Sequence, residues 1–192
     1  MIIVCDIDDT LLPLFSCFRS NPLKHMLNEE EYRKIFPKYW NSLRQISLKY
    51  FRLESWISFI SFYIKFHIKK GIQHIHIISK VAPTFELFQR FMLLFNTEFQ
   101  SAQVSFMNED LFYDKLNILD PTNLIWIDDS PTRIGIALEY DVRNILIVRQ
   151  PWNKRLIIDS PLTPITQREY ITDAKALARD LENYIANLMR EV

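Results

Sequence analysis

The chain has 192 residues, 48% of them hydrophobic, and its 23 basic side chains are balanced by 23 acidic ones. That length holds one well-buried α/β core with a small accessory element, and is too short for two full domains. A neutral balance argues against duplex nucleic acid as a partner, because its binders carry a basic excess, but leaves room for a small anion held by local charges.

In chain order, the apolar run Met1–Cys5 reads as a first strand, 1–6, that ends in Asp6-Ile7-Asp8-Asp9-Thr10. The stretch 14–70 is rich in Phe, Tyr and Trp at helix-like spacings and breaks the β/α alternation, which predicts an inserted helical cap. Within it, Leu53–Ile68 is apolar but is interrupted by Glu54, Lys65 and His67 and falls short of the ~20 residues of a bilayer span. Strands follow at 74–79, 102–107, 123–128 and 144–148, with helices at 84–95, 109–118 and 131–139 between them. Such alternation predicts a three-layer, doubly wound parallel sheet of five strands, with 1–13 and 71–192 as the core domain and 14–70 as the cap. Residues 151–167, with Pro151, Pro161 and Pro164, read as a stiff link. The closing segment, Tyr170–Met189, carries an apolar stripe that predicts a helix packed on the sheet or at a homodimer contact.

Only Gly71 and Gly135 are glycines, so neither a Walker loop nor a dinucleotide-binding glycine loop is present. Cys5 and Cys17 are too sparse for a disulfide framework and read as reduced thiols. Met1–Cys5 lacks the basic start and long apolar core of a signal peptide, so a cytoplasmic location is expected. His25, His67, His74 and His76 lack partners at zinc-ligand spacing.

The chemistry concentrates at strand ends. Ligand sites of open parallel sheets lie outside the carboxyl ends of the strands, and Asp6 and Asp8, two apart, can serve one such site. A second apolar run, Asn123–Ile127, also ends in acids, Asp128 and Asp129. If the two strands are neighbours, Asp6, Asp8 and Asp128 can share one hard divalent cation such as Mg²⁺, which relieves the repulsion between them.

Asp6-Ile7-Asp8-Asp9-Thr10 resembles the first motif, Asp-x-Asp-x-Thr, of the haloacid dehalogenase superfamily of Mg²⁺-dependent phosphatases. Three further segments resemble its other motifs in order: the strand ending in Ser79-Lys80, Lys115 in Tyr113-Asp114-Lys115-Leu116, and the pair Asp128-Asp129. The resemblance implies Asp6 as nucleophile and Asp8 as general acid/base, its carboxyl held off the metal while its main-chain carbonyl coordinates. It further implies Ser79, Lys80 and Lys115 around the phosphoryl group, Asp128 as metal ligand and Asp129 behind it. Within the superfamily the chain is most similar to the 5'(3')-deoxyribonucleotidases, which often carry a Pro-aromatic-Asn step after the last core strand, here Pro151-Trp152-Asn153. That family usually has Gly or a small residue where this chain has Asp9.

The expected activity is therefore hydrolysis of a phosphate monoester through an aspartyl-phosphate, on a (deoxy)nucleoside monophosphate. A base stacked on aromatic side chains gains about 1–3 kcal/mol, which makes Phe15, Tyr39 and Trp40 the candidates for its platform. The alternatives are a phosphatase of the same fold acting on another small phosphomonoester, and a non-catalytic binding protein that keeps the fold.

Overall fold

Runs of Ile, Val and Leu form the strands β1 (Ile2–Asp6), β2 (His74–Ser79), β3 (Gln103–Asn108), β4 (Leu124–Asp128) and β5 (Asn144–Ile147). They pair in parallel throughout, in the spatial order β3-β2-β1-β4-β5. The structure, a computed structural model, describes residues 1–14 and 29–190, the side chains of 29–38 and 189 excepted. Among the described residues the α-helices are α1 (Glu29–Lys49), α2 (Leu53–His67), α3 (Phe85–Glu98), α4 (Glu109–Leu116), α5 (Pro131–Glu139) and α6 (Ala174–Arg190).

A parallel sheet covered on both faces needs strands that are apolar at every position, and β4 is buried along its whole length. The pleat then divides the side chains. Ile3, Cys5, Ile75, Ile77, Ile125 and Ile127 face α2 and α3, whose Trp56, Ile60, Phe91 and Phe95 complete one core. Val4, Ile78, Trp126, Ile145 and Ile147 face α4 and α5, meeting Phe112, Leu116, Ile134 and Ala137. Full burial of a side chain such as Phe91 is worth roughly 1.5–3 kcal/mol. Local chemistry starts the helices: Thr84 accepts from Leu87 N–H before α3, Asn108 accepts from Asp110 N–H before α4, and Pro131 opens α5.

Two parts of the expected organisation are redrawn. The predicted cap, 14–70, includes α2, yet Leu53, Trp56, Ile57, Ile60 and Ile64 all lie in the core against the sheet. This makes α2 the crossover between β1 and β2. Meanwhile α6 packs on α1, through Trp40 and Leu43 against Leu177, Leu181 and Ile185. It is joined there by Tyr50, whose hydroxyl donates to Asp180 at 2.6 Å. Neither the sheet nor a second copy is needed to bury its stripe. Cys5 is a free buried thiol in β1, and Cys17 lies outside the described residues. Among the described residues no helix is long and apolar enough to cross a membrane.

Candidate active site

The strand order places the site. The chain leaves β1 toward β2 and leaves β4 toward β5, so the connections diverge between these two neighbours and open a crevice at their carboxyl ends. Cys5 pairs with Ile127, and one residue on, Asp6 and Asp128 stand level. Carboxylate oxygens of Asp6, Asp128 and Asp129 lie within 4.8 Å of one another, and all three residues are buried.

Asp6 is 1% exposed, and neither of its carboxylate oxygens receives a hydrogen bond. Its Oδ1 lies 2.8 Å from Arg133 Nη1, which is an ion pair by distance without the alignment of a hydrogen bond. Burial pushes the Asp6 carboxyl well above the ordinary range; Arg133 opposes this, while Asp128, Asp8 and Glu109 add to it by repulsion. Asp128 accepts from Ser130 N–H at 2.8 Å and from the Trp126 indole at 3.3 Å. Asp129 accepts from Thr10 Oγ1 at 3.1 Å and from Trp152 Nε1 at 2.8 Å. Burial raises Asp128 and Asp129 to about 7 each, with the neighbouring acids adding to the shift and Arg133 opposing it.

Two buried carboxylates, Asp128 and Asp129, beside a third that receives no hydrogen bond, Asp6, form an all-oxygen donor set, which suits a hard divalent cation such as Mg²⁺. The residues present fit the ion. The grouping brings in the carboxylate of Asp129, expected behind the metal; the carboxylate of Asp8, of which the resemblance puts only the main-chain carbonyl on the ion, lies outside it.

Asp8 is turned the other way. Arg44 of α1 grips it in a fork, Nε to Oδ1 at 2.8 Å and Nη2 to Oδ2 at 2.7 Å, and the Trp40 indole also donates to it. Ser79 at the end of β2 joins this group, accepting from Arg44 at 2.9 Å and donating to Asp8 at 3.3 Å. Arg44 is fully buried, and its remaining bonds go to Asn41 and the Val81 carbonyl.

The turn between these two groups explains the departure at Asp9. Its φ is 61°, the left-handed region that suits glycine and that Asp tolerates better than most residues. Its carboxylate accepts from Leu14 N–H at 2.9 Å, and its carbonyl accepts from Gln150 and Gln167 at 2.7 and 3.0 Å. Asn153 donates to the Asp129 carbonyl at 2.6 Å and to the Val148 carbonyl at 2.9 Å. The Pro151-Trp152-Asn153 step is thus wired to the second acid pair through both Trp152 and Asn153.

The other expected residues are placed as follows. Lys80 is exposed, and its charge reaches Glu109 at the head of α4. Lys115 is exposed in the last turn of α4, six residues or about 9 Å of helix rise beyond Glu109, and the structure does not bring it to the acids; its charge is felt by His76. Trp40 is 5% exposed and packed in the α1–α6 core, so it presents no open face to a base. Tyr39 meets Tyr184 of α6 edge-on at 6.3 Å, and Phe15 lies outside the described residues.

Three participants carried no signal in the sequence. Arg44 and Arg133 are single arginines of a type that is ordinarily solvated, and Glu109 is an acid of the kind common in a first helical turn. A cavity of about 260 Å³ between Leu116, Leu124 and Tyr140 lies at the opposite, amino end of β4 and has no part in this arrangement. No protein-family model, no curated protein and no solved structure matches the chain.

Proposed function

We propose that this protein is a Mg²⁺-dependent phosphatase of the haloacid dehalogenase type, hydrolysing a small phosphate monoester through an aspartyl-phosphate. Asp6 carries the reading: a buried carboxylate at the end of the central strand, without hydrogen-bond donors and beside Asp128 and Asp129. Hydrogen bonds to a carboxylate stabilise its charge, so one without them keeps its lone pairs available for attack.

In the proposed reaction an Asp6 oxygen gives an electron pair to phosphorus as the ester P–O bond breaks, and Asp8, protonated and turned out of the Arg44 fork in the substrate complex, passes that proton to the departing alcohol oxygen. Water then attacks the aspartyl-phosphate and yields a proton to Asp8, and the bonding pair returns to Asp6. One water is consumed, and an alcohol and inorganic phosphate leave. Ser79 stands beside Asp8 as the hydroxyl able to turn toward the phosphoryl group. Asp6, Asp128 and Asp129 would hold Mg²⁺, which when bound supplies positive charge against the non-bridging oxygens.

The likeness of Pro151-Trp152-Asn153 to the deoxyribonucleotidase step makes deoxynucleoside monophosphates the first substrates to try. The burial of Trp40 favours a second reading, another small monoester that needs no stacking platform. Phosphate release from p-nitrophenyl phosphate with Mg²⁺, abolished by chelator and by Asp6→Asn, is the expected result. A wild-type protein that releases none under these conditions sinks the proposal. A panel of deoxynucleotides against sugar phosphates at fixed Mg²⁺ then separates the two substrate readings.

A further inference from the structure

Arg133 stands at the third position of α5 and reaches back over the acids. Two of its three nitrogens are spent on one residue: Nε donates to Glu109 Oε1 at 3.0 Å and Nη2 to Glu109 Oε2 at 2.6 Å. Glu109 is fixed in turn by the Tyr113 hydroxyl at 2.9 Å. Burial alone would raise the Glu109 carboxyl, but Arg133, Tyr113 and Lys80 together bring it below the usual range, so the clamp is an ion pair. The third nitrogen, Nη1, is thereby aimed between Asp6 Oδ1 at 2.8 Å and Asp128 Oδ1 at 3.8 Å, and it makes no hydrogen bond to either. The Arg133 side chain is 19% exposed where the two carboxylates are 1% and 0% exposed, so it keeps more contact with solvent than the acids it faces.

A donor held rigidly by its other arms, with its own protons uncommitted, is what stabilises charge that develops during a reaction. Resting on the phosphatase reading, we infer that Arg133 is the catalytic cation of this site: its Nη1 meets a non-bridging oxygen of the phosphoryl group as that group passes to Asp6, and Glu109 is the residue that positions it. The likeness to known phosphatases assigns this charge to Lys115, which the fold leaves at the far end of α4. An arginine suits the task because its planar fork can bind a carboxylate with one edge and present a donor from the other.

The test compares Arg133→Met, Arg133→Lys, Glu109→Gln and Lys115→Ala on p-nitrophenyl phosphate at saturating Mg²⁺. Mn²⁺ binding is followed by electron paramagnetic resonance, and inorganic phosphate serves as a competitive inhibitor. Arg133→Met is expected to lose on the order of 10²–10³-fold in kcat/KM, as when one transition-state donor is removed. It should bind inorganic phosphate at least about tenfold more weakly while retaining Mn²⁺, and Arg133→Lys should recover part of the rate. The loss in Arg133→Met should exceed that in Lys115→Ala; the reverse order overturns the inference, as does an Arg133→Met enzyme within about threefold of wild type. Should Arg133→Met fail to fold, Glu109→Gln decides: a drop in kcat of about tenfold at little-changed KM supports the inference, and an unchanged kcat overturns it. A wild-type protein that binds no Mn²⁺ while Arg133→Met binds it shows the guanidinium standing in for the ion, which overturns the phosphatase reading as well. Activity in wild type with the losses reversed overturns the inference alone.

Discussion

Asp6 and Asp8 stand two residues apart at the end of one strand and have opposite surroundings. Asp6 faces α4 and α5, receives no hydrogen bond and shares its space with two further acids. Asp8 faces α1 and accepts from Arg44, Trp40 and Ser79. Chain proximity therefore does not make them equivalent: one carboxylate is buried without hydrogen bonds, and the other is aimed by its donors. The comparison is broken most severely by Asp6→Asn, which should lower phosphate release at least about 10³-fold, the scale of losing a nucleophile. Because the amide removes a buried charge that repels Asp128 and Asp129 and leaves Arg133 its pair with Glu109, the variant should melt no lower than wild type in chelator. A melting temperature well below wild type would mean that Asp6 is a structural anchor instead.

Arg44→Met attacks the opposite side. It strips a fully buried guanidinium from Asp8, Ser79 and the Val81 carbonyl at once, and removing one partner of a buried pair costs about 3–5 kcal/mol. At 2–4 °C per kcal/mol for a domain of this size, the melting temperature should fall on the order of 10 °C. A shift under about 2 °C by scanning calorimetry would show that α1 does not hold Asp8 in solution.

How much of this was legible beforehand follows from the range of each interaction. The five strands could be read because a covered parallel sheet demands continuous Ile, Val and Leu, and the acids could be placed because they sit where those runs stop. The role of α2 was misassigned because an aromatic-rich helix has the same periodicity in a cap as in a core layer. The α1–α6 pair was not foreseen because it joins segments such as Tyr50 and Asp180, 130 residues apart, that share no local pattern. Arg133 and Arg44 were missed for a related reason: a single arginine on a helix looks solvated until the fold brings acids to it. Asp9 is the converse, a residue unlike the one expected from the resemblance, and its φ of 61° supplies the cause.

The acid cluster also has a pH signature. Asp128 and Asp129 are raised to about 7 by burial, so they bind protons more tightly folded than unfolded. Their contribution to stability is complete below about pH 4 and is lost as pH rises through about 7. Raising one such group from about 4 to about 7 is worth roughly 4 kcal/mol, so metal-free protein should melt several degrees lower at pH 8 than at pH 5. Mg²⁺ binds the ionised carboxylates and should restore most of that loss at pH 8 while adding little at pH 5. Equal Mg²⁺-induced shifts at both pH values, measured by thermal melts with and without chelator, would contradict a shared acidic site.

Trp40→Phe is the mildest probe, and the most selective for the Asp8 side. Phenylalanine retains most of the ring that packs against Leu43, Leu177 and Leu181, and it deletes the indole N–H that donates to Asp8. A hydrogen bond to a charged group is worth about 1.5–3 kcal/mol, and the Arg44 fork still neutralises the carboxylate, so the lower end is expected. The melting temperature should drop about 3–6 °C. Because the acid cluster around Asp6 is untouched, Mn²⁺ affinity should stay at the wild-type value while kcat falls. If Mn²⁺ affinity falls along with kcat, the two sides of the strand end are coupled, and the division between a bare carboxylate and an aimed one is wrong.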